Sequence, residues 1–286
     1  LFFGRGLVAT TEDFGSQGDV PTHPELLDWL ARQFMDGGWD VHELCRTIVL
    51  SATYRQSSVP ADPETWSADP QNLLLARGPR YRLSAEQLRD NALAVSGLLV
   101  HKVGGPSVFP YQPAGLWAES GTGKTYTQST GEGLYRRSLY TFWRRTSPPP
   151  TLTTFDAPSR EFCLTRRERT ATPMQALTLL NDPQFVEAAR VLAARLMEQQ
   201  PGDLPAQIRT AFRLLTSRPP SEQESTLLRE LWEAEHEHFA EHLDKAREYV
   251  TTGESAPAEG LDPADHAAMT ALVQALMNYD ECVTKR

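Results

Sequence analysis

The stretch that decides the fold is residues 172–199, TPMQALTLLNDPQFVEAARVLAARLMEQ. It begins with Thr172 as a helix N-cap, followed by proline at the first helical position and Gln175 at the third. Asn181-Asp182-Pro183 interrupts this helix and starts a second one. The apolar face of the second helix repeats at helical spacing: Phe185, Ala188, Leu192 and Leu196. The stretch predicts two consecutive helices with a break at 181–182.

Similar start signals occur along the rest of the chain. Ser84 with Gln87 is a capping box, Ser221 with Glu224 is a second, and Asp262-Pro263 opens the last helix. Either Thr22, in a capping box with Glu25, or His23, which Pro24 keeps out of the α region, caps the first helix. Helices are expected over 173–199 and over six further ranges: 24–36, 40–52, 84–100, 204–216, 221–250 and 263–280.

The expected fold is therefore mainly α, a multi-helix arrangement with little β-structure. Residues 104–134 are rich in glycine, proline, serine and threonine, and arginines and aromatic residues follow them. We interpret about 104–170 as a long irregular insert, with one short extended segment near 139–143 that ends before three prolines. The whole chain, 1–286, is expected to form a single domain.

Composition excludes several functional classes. The 286 residues are 40% apolar and 23% charged, enough for a packed core. The net charge of −9 argues against general nucleic-acid binding. No apolar run approaches the roughly 18 residues of a membrane span. The three cysteines are far apart and none belongs to a Cys-x-x-Cys-His motif, so no haem, metal or other cofactor is expected in this chain.

An ordered series of short motifs resembles one family. The motifs are residues 4–8 (GRGLV), 13–15 (DFG), 21–29 (PTHPELLDW), 82–86 (RLSAE), 135–138 (YRRS), 172–177 (TPMQAL) and, more loosely, 277–281 (MNYDE). Together they resemble the C-terminal domain of unknown function of planctomycete-type proteins that also carry a cytochrome-c-like domain. The resemblance covers nearly the whole chain.

The resemblance implies a cellular location and partner domains, but it implies no reaction. The chain is expected to be a C-terminal fragment of a larger protein that is periplasmic, in the cell envelope or secreted. Upstream domains of the same parent would be its partners, and a haem would belong to one of them. The family supplies no catalytic residues to carry over.

Two motifs resemble a phosphate-binding loop and a zinc-binding helix, respectively. Gly121-Thr122-Gly123-Lys124-Thr125 resembles the end of a phosphate-binding loop, but Ala118 replaces the required glycine and no helix is expected to follow. His238 and His242 match an inverted zinc-protease pattern, but the apolar stripe Leu228, Trp232, Phe239 and Leu243 turns His238 away from the core. A surface loop and a solvated helix face are favoured, with no metal site.

Arginine is concentrated in one segment. Residues 136–169 carry a net charge of +5 in an acidic chain, and Tyr140 and Trp143 lie among the arginines. Guanidinium groups bind carboxylate, sulfate or phosphate in a bidentate manner. We name Arg136, Arg137, Arg145 and Trp143 as candidate ligand-binding residues. Internal ion pairing or ordinary surface charge is the favoured alternative, since residues 221–265 carry thirteen acids and three bases that could neutralise the arginines.

A histidine near the start provides the other candidate. His23 with Asp13 or Asp156 has the chemistry for acid–base catalysis, although helix capping by His23 and a loop turn at Asp13 are the favoured explanation. We expect the arginines to meet Asp13, Asp156 or His23 across the fold.

Three functions remain open at this point. The first is a non-catalytic binding or scaffolding module for an anionic glycan, such as an acidic polysaccharide, or for a partner domain. The second is a carbohydrate-active enzyme domain that uses His23 with Asp13 or Asp156. The third, with less support, is a docking module for a cytochrome-c-like domain, for which the acidic helix near 221–250 would suit a basic partner. An enzyme should bring His23, a carboxylate and several arginines into one cleft.

Overall fold

The computed structural model describes residues 2–60, 62–119 and 123–285. Over these residues it is mainly α, as predicted, with two antiparallel strands of two residues each. The α-helices are α1 (Pro24–Asp36), α2 (Val41–Leu50), α3 (Pro63–Ala68), α4 (Ala85–Ser96), α5 (Leu116–Glu119), α6 (Pro150–Thr154), α7 (Pro173–Asn181), α8 (Pro183–Gln199), α9 (Leu204–Thr216), α10 (Glu222–Glu241), α11 (Leu243–Tyr249), α12 (Pro263–Met277) and α13 (Asp280–Val283). The strands are β1 (Tyr81–Arg82) and β2 (Thr284–Lys285).

The chain divides into two compact units. Unit 1 comprises Leu1–Arg82, Leu164–Arg166 and Thr284–Arg286, and unit 2 comprises Leu83–Cys163 and Arg167–Val283. Whether 1–286 folds as the predicted single domain stays a prediction. None of the described helices is long and apolar enough to cross a membrane.

Unit 1 is built on a helical hairpin. α1 and α2 contact each other, and Gly38 and Trp39 make the turn between them with positive φ angles of 74° and 64°. β1 and β2 pair antiparallel, with Tyr81 opposite Lys285. Among the described residues of unit 1, Pro79 is buried, but no alanine, valine, leucine, isoleucine, methionine, aromatic or cysteine side chain is. Unit 1 therefore has no closed hydrophobic core of its own in this part of the chain.

Unit 2 has a continuous core. α8 packs against α12 and α4, and α12 also packs against α10. The fully enclosed side chains at the centre include Phe185, Leu192, Phe212, Met269 and Leu272. Each buried side chain of this size contributes about 1.5–3 kcal/mol relative to exposure.

The two ends of unit 2 are hydrogen-bonded to each other: the Leu83 N–H donates to the Val283 carbonyl at 2.9 Å.

The helix start signals are confirmed. Ser84 and Ser221 both form capping boxes, and the break at 181–182 lies where the sequence predicts it. His23 is the N-cap residue of α1 but makes no side-chain capping bond. The prediction of one helix over 221–250 is wrong, because the chain leaves the helical conformation at His242 (φ −128°, ψ 57°). Leu243, expected in the buried stripe, is 43% exposed as a result.

The segment 104–170 contains only short helices within its described residues. The expected extended segment near 139–143 is present only in part: Ser138–Tyr140 forms a 3₁₀ turn, whereas Thr141 is extended and bridges Val108. The cause is tertiary, because the Asp90 carboxylate accepts from the Ser138 N–H at 2.7 Å and holds the turn.

Candidate ligand-binding site

Arg136 is a buried structural residue in this fold. It is 5% exposed, and its guanidinium donates to the backbone carbonyls of Lys102 at 3.0 Å, Pro106 at 3.1 Å and Gly104. The same group lies 3.7 Å from the centre of the Tyr140 ring. These contacts close the 102–106 loop, so most of the binding capacity of Arg136 is used inside the protein.

Arg89, which was not among the candidate site residues, makes hydrogen bonds to the same region of the chain. Its Nε donates to the Gln184 side chain, and its two terminal nitrogens donate to the carbonyls of Arg136 at 2.8 Å and Leu134 at 2.7 Å. Burial lowers the pKa of Arg89 to about 10. Arg89 thus links α4 and α8 to the arginine-rich segment, and no local pattern marks it because it lies in an ordinary helical position.

The other three candidate ligand-binding residues differ in their contacts. Arg137 is 59% exposed and lies 3.6 Å from the Asp90 carboxylate. Trp143 donates its indole N–H to the Ser159 carbonyl at 3.0 Å and lies under the Arg160 guanidinium. Arg145 is exposed and makes no hydrogen bond or ion pair within the described ranges. Arg136 and Arg137 are therefore engaged with backbone carbonyls and Asp90, rather than with the acids of 221–265 that the sequence suggested as partners.

The three candidate acid–base residues are each engaged separately. Asp156, with a positive φ of 62°, accepts from the Thr170 N–H at 2.7 Å and its hydroxyl. Asp13 accepts from the Gly15 N–H at 2.7 Å, as a loop turn requires. The His23 ring pairs with the Thr22 hydroxyl at 3.1 Å. Between described residues, no hydrogen bond or ion pair joins His23 to a carboxylate, and the acid–base role stays a prediction.

The structure also describes the zinc-like motif at His238 and His242 and part of the phosphate-loop-like motif at 121–125. His238 is exposed, as its register predicts, and its ring stacks on His242 with 4.6 Å between the ring centres. Within the described part of the chain, no three His, Cys, Asp or Glu side chains are arranged to hold a metal. Gly121 and Thr122 lie outside the described residues, and residues 123–130 form no helix. Binding of zinc or nucleotide stays untested.

A cleft in unit 1, which we call the N-terminal cleft, is lined largely by apolar side chains. Its volume is about 490 Å³, and its lining includes Phe2, Leu7, Leu26, Trp29, Ile48 and Leu75. Leu26, Trp29 and Leu30 are spaced three and four residues apart on α1, so they share one helix face. A backbone bond from the Thr22 N–H to the Leu7 carbonyl, at 2.9 Å, attaches the amino-terminal segment to the start of α1.

One wall of the cleft is a tightly bonded loop. The Asp69 carboxylate accepts from the N–H groups of Leu74 at 2.9 Å and Leu73 at 2.8 Å, and these bonds lower the pKa of Asp69. Buried Arg77 donates to the carbonyls of Asp69 and Pro70, both at 2.7 Å. Leu75 has a φ of +53°, which is unfavourable for a leucine. Such backbone strain is more frequent at functional sites than elsewhere.

Arg5 is the one charged side chain among the described residues that line the cleft, and the Asp69 carboxylate of the adjoining loop interacts with it. Arg5 and His23 line the cleft together with threonine and serine hydroxyls, whereas no described lining residue is an acid. Arg5 also donates to the Gln71 side chain, so its guanidinium is held in place. The arrangement is an apolar cavity with a fixed cation, which matches ligand sites that combine an apolar lining with a few polar groups.

The fold and the cleft define a class broadly: a mainly helical protein with an apolar cleft in its amino-terminal unit. The model of the family described as "PSD1: Protein of unknown function (DUF1553)" matches residues 1–232, and the chain belongs to this family. No curated protein and no solved structure matches the chain. The family match confirms the expectation of a domain of unknown function.

Proposed function

We propose that this chain is a non-catalytic binding or scaffolding module whose N-terminal cleft receives an apolar segment of a partner domain. The carrying observation is that unit 1 leaves large apolar side chains uncovered around a formed cleft. Trp29 is 49% exposed, and Leu26 and Leu27 on the same helix are 36% and 37% exposed. Contiguous apolar surface of this kind marks interaction sites.

The charge of the cleft supports a particular kind of segment. Because Arg5 and His23 line the cleft without a described acidic residue, a complementary segment would carry a carboxylate beside its apolar side chains. The volume of about 490 Å³ lies in the usual range of ligand cavities. An apolar anchor with one acidic neighbour fits this description.

The partner that we favour is an upstream domain of the same parent protein. This choice rests on the resemblance to planctomycete-type proteins with a cytochrome-c-like domain, which also underlies the proposed envelope, periplasmic or secreted setting. The contacts give an anionic glycan less support, since Arg136 is buried and Arg137 lies near Asp90. The enzyme alternative also has less support, because His23, Asp13 and Asp156 are engaged with other groups.

A second candidate function, docking of a basic domain such as the cytochrome-c-like one, is supported by α10. Its exposed glutamates recur three and four residues apart along one face: Glu230, Glu233, Glu237 and Glu241. Association through this face should weaken steeply with salt, because exposed charges are screened beyond about 8–10 Å at physiological ionic strength. Affinity that is independent of salt would exclude this candidate.

Hydrogen exchange tests the main proposal. The amides of α1, α2 and residues 69–75 should exchange more slowly in the intact parent protein than in this chain alone, because a bound segment would cover the cleft. Ile48→Asp in the parent should abolish the difference, whereas Leu139→Asp, at an exposed position of unit 2, should leave it intact. Equal exchange at these amides in the two proteins would contradict the proposal.

A further inference from the structure

Helix α7 of unit 2 has one buried face and one exposed face. It contacts α6, α8 and α12, and its inner side chains Gln175 and Leu179 are only 1% and 2% exposed. On the outer face, Met174 is 61%, Leu177 53% and Leu180 39% exposed. Positions three residues apart lie on neighbouring turns of a helix, so these three side chains form an apolar ridge, which we call the α7 ridge. Exposed apolar surface of this kind marks an interaction site.

The α7 ridge lies beside a cavity that belongs entirely to unit 2. The cavity has a volume of about 570 Å³, and Met174 and Leu177 form part of its wall. Three prolines line it as well: Pro113, Pro150 and Pro183. One surface of the molecule therefore presents protruding apolar side chains next to an apolar recess. A surface that pairs with a copy of itself needs both features, because each copy must supply the knob and the hole.

The α7 ridge carries no charge. No residue from Thr170 to Asn181 is acidic or basic, although charged residues make up 23% of the chain. Asp182 is the one charged residue among the described residues of the cavity wall, and its carboxylate accepts hydrogen bonds from the Thr151 hydroxyl and the Gln184 N–H. The surface that an occupant would meet is therefore neutral and apolar.

This neutrality favours a second copy of the chain as the occupant. In an interface with two-fold symmetry, each side chain near the axis meets its own copy, so a charged group there would face a like charge. The net charge of −9 makes such repulsion a general problem for two copies of this protein, and the α7 ridge avoids it. A partner of opposite charge, in contrast, would be recognised through charged residues, which the ridge lacks.

We propose that two copies of this chain associate through the α7 ridge about a two-fold axis that passes beside Leu177. Antiparallel pairing of the two helices then places Leu177 against Leu177, and Met174 of one copy against Leu180 of the other. Because one short helix offers a small contact area, the dimer is weak, with a dissociation constant on the order of micromolar or higher. The N-terminal cleft takes no part in this contact, so the dimer is independent of the function proposed above.

Sedimentation velocity of the whole chain tests the proposal. The chain should shift from monomer to dimer as its concentration rises from micromolar to near-millimolar. Leu177→Glu and Leu177→Lys should each weaken the dimer at least about tenfold, because two like charges then meet at the axis. An equimolar mixture of these two variants should regain dimer, since opposite charges face each other. This recovery requires that residue 177 meets its own copy.

Two further variants serve as controls. Leu139→Glu changes a residue of unit 2 that is 71% exposed and lies outside α7, and it should dimerise as the unmodified chain does. Ile48→Asp, in the N-terminal cleft, should also dimerise normally. The two Leu177 variants should keep the melting temperature of the unmodified chain, because the side chain that they replace is exposed.

Four outcomes overturn the proposal. They are a chain that stays monomeric at every concentration, a dimer that persists in both Leu177 variants, a dimer that Ile48→Asp removes, and a mixture that contains no more dimer than its two components. Each would mean that the α7 ridge has a different occupant.

Discussion

Arg89 shows how a single charged side chain can organise a helical protein. Its guanidinium is 2% exposed and satisfies carbonyl groups that no secondary structure pairs. Backbone carbonyls in irregular segments need such partners when they are buried. The irregular 134–138 segment is therefore held in place by a side chain from a regular helix, which gives this part of the fold a rigid support.

The first prediction concerns this residue. Arg89→Met removes donors to two buried carbonyls and to Gln184, so the free energy of unfolding should fall by about 3–5 kcal/mol. Arg137→Met is the matched control, since Arg137 is largely exposed and should contribute about 0–1 kcal/mol. Urea denaturation followed by circular dichroism measures both. Similar losses in the two variants would contradict the structural role of Arg89.

At the residue scale, the excess of arginine could be read from the sequence, but not which arginines are buried and which are exposed. The excess of arginine over 136–169 indicated internal pairing, and Arg136 and Arg167 are indeed engaged internally. Nothing local distinguishes buried Arg136 from exposed Arg137, because they are neighbours in the chain.

Helix boundaries, in contrast, depend on local chemistry. The capping box of α4 joins Ser84 and Gln87 through both of its bonds, at 3.3 Å and 2.9 Å. Asp182, Asp203 and Asp262 cap later helices in the same way. Such bonds span only two or three residues, so the sequence alone contains the information for them.

A second prediction tests the cap of α4. Ser84→Ala should lower the free energy of unfolding by about 1 kcal/mol, because the N–H of Gln87 loses its acceptor. Ser84→Asp should retain most of the stability, since aspartate is an equally good cap. Thermal unfolding of the three proteins provides the comparison. An alanine variant as stable as the parent would mean that tertiary contacts alone fix this end of the helix.

The elements that were predicted incorrectly are those whose conformation depends on contacts with residues far away in the sequence. The 3₁₀ turn at Ser138–Tyr140 follows from a bond to Asp90 on α4, 48 residues away in sequence. The end of α10 at Glu241 has no glycine or proline to mark it, and α10, α11 and α12 all contact one another. Sequence periodicity continues through His242 and therefore predicts a single helix.

The two units of the molecule differ in how their apolar residues are used. Unit 2 encloses leucine, phenylalanine and alanine side chains between α4, α8, α9 and α12. Unit 1 encloses none among its described residues. Local stability follows the burial of apolar surface, so the units should open with different free energies.

The third prediction concerns this difference. In the isolated chain, amides of α1 and α2 should exchange with solvent well before those of α8 and α12, and limited proteolysis should cut first between residues 2 and 82. Unfolding should then show two transitions rather than one. A single cooperative transition, with equal protection of α2 and α8, would contradict it.

The fourth prediction is an alkaline loss of stability. Burial raises the pKa values of Tyr111, Tyr126, Tyr135 and Tyr249 above the ordinary tyrosine value of 10.0. Above that pH the unfolded chain has released these protons whereas the folded chain keeps them. The folded state then binds more protons, and the free energy of unfolding falls as pH rises.

Urea denaturation between about pH 8 and 11 measures this fall in stability. Tyr135→Phe removes one of the contributing groups and should flatten the slope above pH 10. Unchanged slopes in the two proteins would contradict the assignment to Tyr135.

The hydrogen bond between Leu83 and Val283 has a topological consequence. The polypeptide first enters and finally leaves unit 2 at adjacent residues, 2.9 Å apart between the donor nitrogen and the acceptor oxygen. A linker of a few glycines would therefore close residues 83–283 into a ring without stretching the backbone. New ends could be opened at the exposed turn of Pro201 and Gly202, between α8 and α9. Unit 2 is thus suited to circular permutation, with the order of its helices along the chain changed and their packing kept.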